Sequence, residues 1–125
     1  MKLKLYNSYT RQKEQFKPIV EGQVGMYTCG PTVYDFSHIG NFRTFMFEDL
    51  LKRWLMHVGY DVKHIMNITD IDDKTIKRSR DEGVDLKTLT ELYTKYFIND
   101  LEWLKILPAD DYPRATGSID RMIDM

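Results

Sequence analysis

The stretch Tyr27-Thr28-Cys29-Gly30-Pro31-Thr32-Val33-Tyr34-Asp35, running into Phe36-Ser37-His38-Ile39-Gly40-Asn41, limits the possible folds of this chain more than any other segment. A short apolar run precedes it and a long amphipathic pattern follows, with glycine and proline punctuating the join. A strand must therefore hand over to a helix here, the place where an open α/β sheet binds a nucleotide. From Gly40 onward Phe47, Leu50, Leu51, Trp54, Leu55 and Val58 recur at three and four residues, which predicts a helix with that face in the core. Glu48, Asp49, Lys52 and Arg53 fall on the other face and are expected in solvent, and Gly59 supplies a left-handed helix end. The run Val62, His64, Ile65, Met66, Ile68 reads as a mostly buried strand without strict alternation, as a parallel sheet covered on both faces requires.

The remaining elements follow from the same periodicities. Leu3, Leu5 and Tyr6 predict an edge strand, and Ile19 to Val24 leads toward a second strand ending at Thr28. Thr69 with Asp72 three residues on fits a capping box that opens a short helix ending near Gly83. The helix dipole then accounts locally for Asp70, Asp72 and Asp73, with magnesium binding as the alternative. A third helix from about Leu86 carries Leu89, Leu92, Tyr93, Tyr96, Phe97, Leu101 and Leu104 on one stripe until Pro108 breaks it. Pro113 and Thr116 predict entry to a last helix with Ile119, Met122 and Ile123, and Lys74, Lys77, Arg78 and Arg80 read as a solvated face.

Composition excludes several classes. With 125 residues, 42% hydrophobic and 30% charged, the chain builds one modest core, a single domain or part of one. A net charge of −1 gives no global attraction to nucleic acid. No apolar run of about eighteen residues is present and the start lacks the apolar region of a secretion signal, so a cytoplasmic protein without a membrane partner is expected. The single cysteine excludes an internal disulfide and leaves Cys29 as a small buried hydrophobe, a nucleophile or a metal ligand.

If the segment after the second strand enters a helix near Ile39, the N–H groups of its first turn and the positive end of its dipole offer a phosphate site. His38 and Asn41 would flank it as donors, and Gly40 would let a base or phosphate approach the backbone. On these residues alone a plain capping turn is the alternative.

Three segments carry a family resemblance: Cys-Gly-Pro-Thr-Val-Tyr-Asp at 29–35, His-Ile-Gly-Asn at 38–41 followed by Arg43-Thr44, and Asn-Ile-Thr-Asp-Ile-Asp-Asp-Lys at 67–74. Together with Tyr9 to Lys13 and Pro113 to Thr116, they closely resemble the amino-terminal catalytic region of the cysteinyl-tRNA synthetases, over essentially the whole chain. The resemblance implies a Rossmann-type α/β nucleotide-binding fold of class I, residues 1–125 being the amino-terminal portion of the catalytic domain. It implies ATP-dependent activation of cysteine to cysteinyl-adenylate and transfer to cysteine tRNA. By the same resemblance Cys29 is one of four ligands of a zinc ion that binds the substrate thiolate, a soft ligand suited to this metal. Gly30, Pro31, Thr32, His38, Ile39, Gly40 and Asn41 would bind ATP with its magnesium, His38 and Asn41 as the catalytic pair; Cys29, Gly30, Thr69 and Asp70 would meet the amino acid. Position 41 departs from the family's His-Ile-Gly-His signature: asparagine keeps a neutral donor and cannot become cationic.

The other three zinc ligands, the Lys-Met-Ser-Lys-Ser loop and the anticodon-binding region are expected beyond residue 125. The isolated chain is therefore expected to hold zinc poorly, to bind ATP weakly and to be inactive, with apolar helix faces and a sheet edge left open. Two alternatives stay open: a ligase joining cysteine to an amino-sugar, and a non-catalytic nucleotide-binding module of the same fold.

Overall fold

The computed structural model describes residues 3–124. In chain order it contains β1 (Lys4–Asn7), β2 (Gln12–Gln15), β3 (Gln23–Thr32), α1 (Ile39–His57), β4 (Asp61–Thr69), α2 (Asp73–Glu82), α3 (Leu86–Trp103) and, after a 3-10 turn at Thr116–Ser118, α4 (Ile119–Ile123). The α/β expectation holds in its central unit: β3 and β4 pair in parallel from Gln23↔Asp61 to Cys29↔Asn67, and α1 is the crossover between them.

β3 continues to Thr32 rather than ending at Thr28. Between Cys29↔Asn67 and Thr32↔Thr69 it carries one residue more than β4, so Gly30 and Pro31 form a bulge. A proline, which has no N–H to give a ladder, is tolerated there. On its other edge β4 meets residues 110–115. Met66 N–H donates to Asp111 O at 3.1 Å, Ile68 N–H to Pro113 O at 2.8 Å, and Ala115 N–H to Ile68 O at 3.1 Å. Pro113 thus belongs to a strand-like ribbon parallel to β4, and the last helix begins only after Thr116.

That returning ribbon explains why α1 is turned differently from its expected orientation. Phe42, Phe45, Lys52 and Leu55 are its buried residues, while Phe47 and Leu50 are 64% and 63% exposed. Lys52 donates to Pro108 O at 2.8 Å, Asp49 accepts from Leu107 N–H at 2.9 Å, and Arg53 donates to Lys105 O at 2.7 Å. The polar stripe expected in solvent therefore receives the segment coming back from α3. Phe47, Leu50, Leu51 and Trp54 instead form an apolar face beside Leu3 and Leu5.

Two helix boundaries also move. α2 is capped by Asp72 and not Thr69: Asp72 accepts from Thr75 N–H at 2.8 Å and its own N–H donates to the Thr75 hydroxyl at 2.8 Å. Thr69 is held in the sheet, its carbonyl accepting from Val33 N–H at 3.1 Å. α3 ends when Lys105 takes a left-handed φ of 59°, three residues before Pro108. Leu92 and Tyr96 of its expected stripe are 49% and 42% exposed.

The core gathers Val33, Phe42, Phe45, Met66, Ile68, Leu89, Tyr93, Phe97, Leu101 and Ile106 between α1, the inner face of the sheet and α3. Phe97 meets Phe45 edge-on at 5.1 Å and stacks over Phe42 at 6.3 Å. β1 and β2 form a separate antiparallel hairpin; β2, Gln-Lys-Glu-Gln, has no apolar alternation and gave no strand signal. In the basic cluster Lys74, Lys77 and Arg80 are exposed as expected, whereas half-buried Arg78 pairs with Glu82.

Candidate active site

The carboxyl ends of β3 and β4 meet at Thr32 and Thr69, and the loop of residues 33–38 carries the chain from there to the start of α1. The loop is fixed along its length. Val33 is buried and its N–H bonds Thr69 O, while Phe36 packs edge-on against Tyr93 of α3 at 5.3 Å. Lys74 Nζ of α2 lies 5.4 Å from the centre of the Tyr34 ring. These contacts tie the strand ends to the amino terminus of α1, the arrangement in which open α/β sheets bind ligands.

His38 is the N-cap of α1, and two bonds close the turn it makes with Gly40 and Asn41. Gly40 N–H donates to His38 Nδ1 at 3.0 Å, and His38 N–H donates to Asn41 Oδ1 at 3.0 Å. Asn41 N–H is also engaged, to His38 O at 2.8 Å. Two backbone donors that the sequence reading offered to a phosphate are therefore used within the chain. In exchange the cap orients the side chains. With Nδ1 accepting, the neutral His38 ring carries its proton on Nε2, and with Oδ1 accepting, Asn41 keeps its NH2 group as donor. Both residues are exposed and no acidic residue lies in the first turn, so these donors stand at the positive end of a 19-residue helix. An anion with several oxygens would meet two donors of fixed direction.

The carried-over residues divide by face. Cys29 is exposed on the outer face of β3, opposite Asn67 in register; Gly30 is half-buried, Pro31 is buried in the bulge, and Thr32 is half-buried at the strand end. Also on the outer face, Tyr27 Oη–H donates to Asn67 Oδ1 at 3.0 Å and Asn67 Nδ2–H to Thr69 Oγ1 at 3.3 Å. Ile39 and Gly40 are exposed in the first turn of α1. Asp70 is not at the surface. It is 3% exposed, and its carboxylate accepts from both the N–H of Thr116, at 2.9 Å, and the Thr116 hydroxyl. These bonds tie the returning ribbon to the strand end.

A zinc ion fits this residue set only in part. Cys29 offers an exposed thiol of the right softness, yet no group of three or more His, Cys, Asp or Glu side chains converges anywhere among the described residues. His64 faces the opposite side of the sheet, bonded to Thr28 Oγ1 at 2.9 Å.

The inner face holds a buried polar group that the sequence did not announce. His64 is 2% exposed with no partner for Nδ1, and Glu48 Oε2 is likewise buried without one. Burial, and then the charge of Lys52, push His64 below the ordinary imidazole value, while Asp110 and Asp49 pull the other way. Burial pushes Glu48 above the ordinary carboxyl value, opposed by the Thr28 hydroxyl. The two groups act in different pH windows. His64 takes a proton more readily when unfolded, so stability falls as pH drops through the ordinary value of 6.5. Glu48 loses its proton more readily when unfolded, so stability also falls as pH climbs above the ordinary value of 4.5. Glu48→Gln is accordingly expected to raise the Tm at pH 7 by about 3 °C, the gain vanishing toward pH 4. Thermal scans at both pH values check this; a gain of the same size at pH 4 would show that the carboxylate charge is not its source.

Residues 15–125 match the family described as tRNA synthetases class I (C) catalytic domain. The chain is 55% identical over 124 residues to the cysteine–tRNA ligase of Thermococcus kodakarensis, covering 99% of this chain and 26% of that protein. It is 56% identical over 124 residues to that of Chlamydia trachomatis serovar D, with the same coverage, and 52% identical over 123 residues to that of Methanosarcina mazei, covering 98% and 26%. The chain spans about a quarter of the length of the curated relatives it matches. The fold, the capped helix at the strand ends and these matches together place the chain in the family of class I (C) tRNA synthetase catalytic domains.

Proposed function

We propose that this chain is the amino-terminal portion of the catalytic domain of a cysteine–tRNA ligase, in which the cysteine carboxylate attacks the α-phosphorus of ATP, displacing pyrophosphate to give cysteinyl-adenylate, and the cysteinyl group passes to cysteine tRNA with release of AMP. The observation that carries the reading is the cap of α1, in which Gly40 N–H engages His38 Nδ1 and His38 N–H engages Asn41 Oδ1, leaving one side-chain donor on each residue at the helix start. In this reading His38 Nε2–H and Asn41 Nδ2–H bind the ATP phosphates, with magnesium accompanying the nucleotide. Their bonds strengthen as charge gathers on the phosphates during attack by the carboxylate. Gly30, Pro31 and Thr32 form the floor of the nucleotide site, and Ile39 and Gly40 its helical edge. Cysteine lies at the carboxyl edge by Thr69, with its thiol toward Cys29. Cys29 supplies one thiolate to a zinc site whose other ligands lie outside this chain, which selects a thiol over a hydroxyl without further editing. The enzyme is cytoplasmic, and the isolated chain binds ATP weakly and does not activate cysteine. No helix among the described residues is long and apolar enough to cross a membrane.

The test is cysteine-dependent exchange of pyrophosphate into ATP by the full-length protein, followed by charging of cysteine tRNA. Exchange and charging are both expected. Cysteine-dependent exchange with transfer of cysteine to an amino-sugar and no charging would favour the sugar ligase, and no exchange would favour the non-catalytic module.

A further inference from the structure

The β1–β2 hairpin concentrates positive charge on one of its two faces. Residues 1–17 hold five of the chain's 18 lysines and arginines but only one of its 19 acids, in a chain whose net charge is −1. Directly opposed residues of an antiparallel pair share a face. The register Lys4↔Gln15 and Tyr6↔Lys13 therefore sets these four side chains together, and all four are exposed. Leu5 and Asn7 take the other face with Glu14, and there Leu5 borders Phe47, Leu50, Leu51 and Trp54 of α1. The one acid is thus turned away from the cations and engaged: Asn7 Nδ2–H donates to Glu14 Oε2 at 3.2 Å, and the Thr10 hydroxyl bonds the other oxygen. No ion pair holds Lys4, Arg11, Lys13 or Lys17 among the described residues.

The turn extends the same surface. Tyr9 is 95% exposed there, and Tyr6 is 61% exposed on the strand. Arg11 keeps a left-handed φ of 56°, which glycine or asparagine would hold at less cost, so a cation stands where the backbone alone favours another residue. The outer face has no aliphatic side chain to insert into a lipid surface. Spaced cations among phenols and amides instead match a ribose-phosphate backbone, whose phosphates take the cations and whose 2′-hydroxyls take the tyrosines and glutamines. The hairpin rests on α1 at least nine residues along the helix from His38, so this surface is separate from the capped turn.

We propose that the outer face of the hairpin, with Lys4, Arg11 and Lys13 as its charged contacts, docks the sugar-phosphate backbone of the tRNA. This rests on the proposed ligase function and gives its nucleic-acid substrate a surface outside the site of activation.

The triple variant Lys4→Gln/Arg11→Gln/Lys13→Gln of the full-length protein tests this, with binding of a cysteine tRNA transcript measured across a salt series. Its Kd is expected to rise about tenfold, and the slope of log affinity against log salt to become shallower by about 2, since each lost phosphate contact removes a little under 1. A non-cognate tRNA should lose affinity equally, because phosphate contacts carry no sequence. Cysteine-dependent pyrophosphate exchange, which needs no tRNA, and the Tm should stay at the parental values while the KM for tRNA in charging rises with the Kd. Lys77→Gln/Arg80→Gln/Lys95→Gln removes the same charge from exposed positions of α2 and α3 and should leave the slope nearly unchanged. Equal losses from the two triple variants would make net charge the cause and overturn the proposal. Parental affinity and slope in the hairpin variant, with exchange and charging intact, would overturn it and leave the ligase reading standing. Parental tRNA binding with lost binding to vesicles of anionic phospholipid would overturn it in favour of a membrane. Absence of exchange and charging from the unsubstituted protein would instead remove the ligase reading, and the tRNA partner with it.

Discussion

Gly30→Ala is expected to lower the Tm by about 10–20 °C, corresponding to a loss of about 3 kcal/mol or more. A Cβ at this position would stand 1.9 Å from the Asn67 carbonyl oxygen and 2.9 Å from Met66 Cγ. The first obstacle is backbone, so no rotamer change relieves it. β3 and β4 would have to part at the bulge, where the ladder is already interrupted. Met66 is buried in the core, so the displacement would also reach the packing around it. Gly25→Ala is the control, because a Cβ there meets nothing within 4 Å. Thermal denaturation followed by circular dichroism compares the two, and equal shifts would show that the close approach at Gly30 is not what excludes a side chain.

If the proposed function holds, His38→Ala in the full-length protein is expected to slow cysteine activation by about 10²–10³-fold while costing about 1 kcal/mol of stability. In the proposed function the residue has two tasks on two nitrogens: Nδ1 accepts from Gly40 N–H and holds the helix start, and Nε2–H would be the donor to the phosphates. Alanine removes both. His38→Asn separates them, since asparagine is a favoured N-cap but does not place a donor where the imidazole did. Its Tm should stay near that of the parent while the rate of pyrophosphate exchange falls nearly as far as with alanine. A His38→Asn enzyme with parental exchange would limit the residue to capping.

What could be read from the sequence was local. The helix from Ile39, its capping turn and the strand through His64 and Ile68 follow from spacings of a few residues. The errors come from contacts distant in sequence. Asp49, Lys52 and Arg53 look like a solvent face until the segment after α3 returns and takes their hydrogen bonds, more than fifty residues on. Thr69 and Asp72 both fit a cap; the sheet decides, because Thr69 is already bonded through its carbonyl to Val33. Asp70 reads as helix-terminal or ligand-facing from its neighbours, and only Thr116, 46 positions away, shows where its carboxylate is used. The shared face of Lys4, Tyr6, Lys13 and Gln15 depends on cross-strand register, which no spacing within one strand contains.

The cap of α1 also limits which residues position 41 will accept. The side chain there accepts from the His38 N–H and, in the proposed function, must from the same short stem present a donor to an anion. Alanine does neither. Aspartate accepts but places a negative charge against the phosphates and offers no hydrogen at neutral pH. Glutamine has both functions but a longer stem, and loses entropy in folding back. Asparagine meets both demands, and histidine meets them with one ring nitrogen for each. A saturation library at position 41, selected for charging, should therefore return a very short alphabet, narrowed twice by one pair of hydrogen bonds.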